Sequence, residues 1–71
     1  MMNKKLSHAE QLSTMLDKLG ISVADLADEV HFSRHTIYRW MYGKNPFDLE
    51  AVKVAMKRIA TRRYEEAMRW V

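Results

Sequence analysis

Apolar residues recur along this chain at intervals of three and four, and strand-like alternation of useful length is missing. The first run is Leu12, Met15, Leu16 and Leu19, and the second is Val23, Leu26, Ala27 and Val30. A third, shorter run holds Ile37 and Trp40. A fourth spans Leu49, Val52, Met56, Ile59, Ala60, Tyr64, Ala67 and Met68, with Arg63 in the same register. Each run predicts one amphipathic helix. Proline occurs only at 46 and glycine only at 20 and 43, so the breaks between helices are short. The expected fold is all-α, a compact domain of four to five helices. The helix count turns on whether the fourth run continues almost to Trp70 or breaks near Ala60-Thr61 and folds back.

Capping residues set the helix starts. Ser7 and Glu10 have the spacing of a capping box, and Ser22 with Asp25 is a shorter version of it. Ser33 and Asp48 are expected to cap the third and fourth helices. Gly20 suits a left-handed helix end. The second and third helices are then separated by a very short turn around His31 and Phe32. Leu26, Ala27, Val30, Phe32, Ile37 and Trp40 are expected to share one core, with Phe47 packed beneath the following turn. Ala27 lets the two helices approach closely. Arg34, His35, Tyr38 and Arg39 fall on the opposite side of the third helix, which suits a helix that enters a DNA major groove.

Charge sharpens this division. The 71 residues carry a formal net charge of +3, a weak signal by itself. Residues 1–30 hold three lysines against five acids, whereas 31–46 hold Arg34, Arg39 and Lys44 and no acid. Positive charge thus gathers on the third helix and the loop behind it. In 47–71, Lys53, Lys57, Arg58, Arg62 and Arg63 form a second cluster, readable as a phosphate-facing patch or as a solvated helix face. The chain lacks cysteine, which removes disulfides and thiolate metal sites and fits a reducing, cytoplasmic compartment. No apolar stretch approaches the ~20 residues of a membrane span, so no membrane association is expected. His31 and His35 are four apart but lack a third ligand, and no nucleophile is paired with a base. The expectation is a single domain over residues 1–71 that is not an enzyme and uses no metal, cofactor or small-molecule substrate.

The residues Ile21-Ser-Val-Ala-Asp-Leu-Ala27, Val30-His-Phe-Ser33, Ile37, Trp40 and Gly43-Lys-Asn-Pro46 resemble the Cro/CI-type helix-turn-helix family of phage and bacterial repressors, the lambda-repressor-like fold. The resemblance covers about residues 8–60. It implies a sequence-specific regulator of transcription that binds double-stranded DNA, with residues 34–42 in the major groove and Arg34, His35, Tyr38 and Arg39 at base edges. An arginine there can donate two hydrogen bonds to guanine O6 and N7. Ser33, Thr36, Tyr42, Lys44 and Asn45 flank the helix and suit phosphate oxygens. The chain departs from the family pattern at two points: His31 stands where glycine is usual, and Val23 where glutamine often contacts phosphate.

Dimerisation on an inverted repeat is also implied, the two reading helices about 34 Å apart. Tyr64, Ala67, Met68, Trp70 and Val71 form an apolar end to the chain. They are candidates for the contact between subunits, or alternatively for a closing segment over 61–71. Residues 1–6, with Lys4 and Lys5, are a candidate arm along the DNA backbone. A reading from another class is a protein-interaction module, such as an antirepressor acting on another regulator.

Overall fold

The computed structural model describes residues 6–70, which form four helices and no strand. They are α1 (His8–Leu19), α2 (Val23–Val30), α3 (Arg34–Met41) and α4 (Leu49–Met68). The proposed arm at 1–5 and Val71 lie outside the described residues.

Each start is capped by the residue its spacing predicts. Ser7 Oγ accepts from the Glu10 amide at 3.1 Å, while Glu10 Oε1 accepts from the Ser7 amide at 2.9 Å. Ser22 and Ser33 Oγ accept from the amides of Asp25 and Thr36, each at 3.1 Å. Asp48 Oδ1 accepts from the Ala51 amide at 3.2 Å. The box at Ser22 is only half made, because the Asp25 carboxylate pairs with Arg63 instead.

Two of the helix ends turn left-handed. Gly20 (φ 64°) closes α1, and the Ile21 amide reaches back to the Leu16 carbonyl at 3.0 Å, which carries Ile21 into the core. His31 does the same for α2 at φ 62°, ψ 40°, the only non-glycine residue with positive φ among those described. A β-carbon there costs about 1–2 kcal/mol. His31→Gly should relieve it, offset by about 0.4–1 kcal/mol of added freedom in the unfolded chain. A net gain of about 0.5–1 kcal/mol should raise the melting temperature by roughly 2–8 °C, measured by circular dichroism.

All four helices feed one core. Leu12, Leu26, Ile37, Val52 and Met56 are its most enclosed side chains, joined by Leu16, Ala27, Trp40, Ala55 and Ile59. α2 packs on α3 and α4, and α1 packs on the same two helices from the other side. Two expected apolar positions are corrected. Phe32 is 53% exposed because it leaves the left-handed turn at the rim, where its ring meets Trp40 edge-on at 5.1 Å. Leu19, the last residue of α1, is 47% exposed.

The fourth run is one unbroken helix of 20 residues, about 30 Å long. No break occurs at Ala60-Thr61, and no fifth helix folds back over 61–70. The chain offers no glycine or proline after Pro46 to stop it. Burial along α4 ends at Ile59, and beyond it two arginines tie the helix to α2. Arg62 donates to Glu29 Oε1 at 2.7 Å, and Arg63 donates to the Asp25 carboxylate and, at 2.8 Å, to the Gly20 carbonyl. With Lys53 Nζ 3.5 Å from Glu50 Oε2, three members of the basic cluster 53–63 are therefore engaged within the chain.

The Arg62 guanidinium, through its hydrogen bond, holds the Glu29 carboxyl below its ordinary value of 4.5. A depressed carboxylate pKa means that the unfolded chain binds the proton more tightly. The pair's contribution is complete above about pH 4.5 and is lost as pH falls further through the folded value. Melting temperature measured from pH 7 to pH 3 should therefore drop less steeply in Arg62→Gln than in the parent. The two proteins should converge at the acid end.

Candidate nucleic-acid interface

α3 is held by one side and open on the other. Ile37 and Trp40 are buried, the indole stacked on Phe47 with ring centres 5.2 Å apart. Successive residues of a helix turn by about 100°, so His35, Tyr38, Arg39 and Tyr42 fall on the side away from those anchors, with Arg34 at its edge. All five are exposed. The four residues expected at base edges are thus brought together on a single face.

That face has internal order. Arg39 Nε donates to His35 Nε2 at 3.1 Å, which requires His35 to be unprotonated at that nitrogen. The bond uses the inner edge of the guanidinium and leaves the Nη groups free for an external acceptor. Tyr38 and Tyr42 stack at 6.4 Å with ring planes 22° apart. No acid occurs between 31 and 46, and the nearby Glu29 is taken by Arg62. Nothing on the face therefore opposes an anionic ligand.

The five residues expected at phosphates divide. Lys44 and Tyr42 are exposed, Tyr42 at 72%, and Tyr42 belongs to the same wall as Tyr38. Ser33 is exposed, but its hydroxyl is engaged in capping and lies 3.0 Å from Thr36 Oγ1. Thr36 and Asn45 are placed differently. Both are half-buried and line a groove of about 480 Å³ with Phe32, Trp40, Phe47 and Arg58, off the α3 face. Thr36 turns inward because it lies four residues, about one helical turn, before the buried Trp40. The sequence reading set Tyr42 apart among the flanking residues, although its i+4 spacing from Tyr38 already signals that the two share one exposed face.

At the apolar end, Tyr64, Ala67 and Met68, spaced by three and four, are exposed within one arc of α4, and Trp70, 90% exposed, follows beyond the last helical residue. Among the described residues no three His, Cys, Asp or Glu side chains are grouped to hold a metal ion, and no helix is long and apolar enough to cross a membrane. No family model, no curated protein and no solved structure matches this chain.

Proposed function

We propose that this chain is a sequence-specific regulator that binds double-stranded DNA, of the Cro/CI helix-turn-helix kind found in phages and bacteria. In this reading α2, the three-residue turn and α3 are the motif, and α3 lies in the major groove. Arg34 and Arg39 read guanines, while His35 and Tyr38 supply further edge contacts. Lys44, Ser33 and Tyr42 set the register on phosphates. Two copies act on an inverted repeat in the cytoplasm, with no catalysis and no cofactor.

One observation carries the reading: a helix anchored by Ile37 and Trp40 presents an exposed, acid-free row of Arg34, His35, Tyr38, Arg39 and Tyr42. A purely protein-binding module would draw on the exposed end of α4 and would leave this row without a purpose. Selection from random duplexes tests the proposal. Enrichment of an inverted repeat with half-sites about one helical turn apart is expected, with affinity falling steeply as salt rises. Recovery of no preferred sequence would defeat it.

A further inference from the structure

The outer face of α4 carries a regular stripe that the fold does not use. Val54, Thr61 and Met68 are spaced by seven and point away from the core side defined by Val52, Met56 and Ile59. Lys57 and Tyr64 flank the stripe on one side, Arg58 and Glu65 on the other. All seven residues are exposed. A shallow depression of about 430 Å³ runs along it, lined by Val54, Lys57, Arg58, Thr61, Arg62 and Glu65. Neither Arg58 nor Glu65 makes a salt bridge among the described residues.

A seven-residue repeat is the spacing at which two helices keep one seam in contact. The order of charges selects the direction. In a parallel pair opposite flanks meet, so Arg58 of one copy would sit by Lys57 of the other, like charge against like, and Glu65 would meet the uncharged Tyr64. In an antiparallel pair centred on Thr61, Arg58 of each copy faces Glu65 of its partner, and Val54 meets Met68. The small Thr61 side chain allows close approach at the two-fold axis. We propose that this stripe docks a second copy of the chain, α4 against α4 in antiparallel fashion. The occupant is a second copy because the two halves of the stripe complement each other under that two-fold, in charge and in apolar contact.

The inference gives a surface to the homodimer in the proposed function and rests on that part of it. It is tested without DNA, by sedimentation equilibrium of the full chain. The parent should be a reversible dimer. Arg58→Glu and Glu65→Arg, each acting twice by symmetry, should weaken association about tenfold or more. An equimolar mixture of the two variants should recover parental affinity, because each copy then meets an opposite charge. Met68→Lys, placed beyond the last buried residue, should weaken association independently of the core. Circular dichroism melts should show all variants folded. A parent that stays monomeric would overturn the proposal, as would reversals without effect or a mixture that is not restored. Duplex selection with the same proteins separates the two readings: DNA recognition without the dimer defeats only the α4 seam, and a dimer that ignores DNA defeats only the groove reading.

Discussion

Trp40→Ala should lower the stability of this domain by about 3–5 kcal/mol, as truncation of a buried aromatic does when the site cannot collapse. Trp40 is 6% exposed and lies between Phe32 at 5.1 Å and Phe47 at 5.2 Å. Its removal strips the partner from both rings at once and opens the groove between α3 and the start of α4. A 71-residue domain has of order 4–10 kcal/mol in all, so the loss takes a third or more of it. The melting temperature should fall by at least about 12 °C, or the cooperative transition should vanish. Trp40→Phe retains the stacking and should recover most of the loss. A melting temperature for Trp40→Ala within a few degrees of the parent would show that the aromatic stack is not structural. The remaining tryptophan, Trp70, is 90% exposed and gives a fluorescence baseline that hardly reports the core.

Replacing Arg34 and Arg39 together by alanine should abolish preference for the selected duplex while leaving the melt unchanged. Both side chains are exposed, and neither contributes to the core. A bidentate arginine–guanine contact is worth about 1–3 kcal/mol of discrimination, so the pair should cost roughly 2–6 kcal/mol, or about thirtyfold to four orders of magnitude. Binding to random duplex should fall much less, since Lys44 still meets phosphate. Competition in gel-shift titrations at fixed salt, between the selected site and random DNA, measures the ratio directly. Arg39→Ala alone should also release His35, whose Nε2 then loses its donor. A double variant that keeps its preference would place sequence reading elsewhere on the molecule.

Trp40 and Arg39 are neighbours in the chain with opposite expected effects, and the helical period is the reason. A rotation of about 100° per residue turns one toward Phe47 and the other toward solvent. This much was legible in the sequence, because both the three-four spacing of Ile37 and Trp40 and the cap at Ser33 are local properties. The same holds for the starts of α1 and α4. Leu19 and Phe32 were not legible. Their burial depends on whether another element happens to lie over a helix end or a left-handed turn, and among the described residues none does.

The candidate site shows the same limit. Arg34, His35, Tyr38 and Arg39 follow from helical phase alone, whereas Thr36 and Asn45 had the chemistry for phosphate but line the groove beside Trp40 and Phe47. The basic cluster 53–63 looked uniform in one dimension. Only folding brings Arg62 to Glu29, 33 residues away, and Arg63 to Asp25, 38 residues away, while among the described residues Arg58 remains without a salt bridge.

Residue spacing by itself determined four amphipathic helices, their caps and the exposed basic row on α3, because each rests on hydrogen bonds and periodicities spanning a few residues. The tertiary structure alone decided that α4 continues past the core, and which of its charges are consumed by α2. Those outcomes depend on contacts between segments distant in the chain, where burial and charge pairing are set by three-dimensional proximity rather than by local pattern.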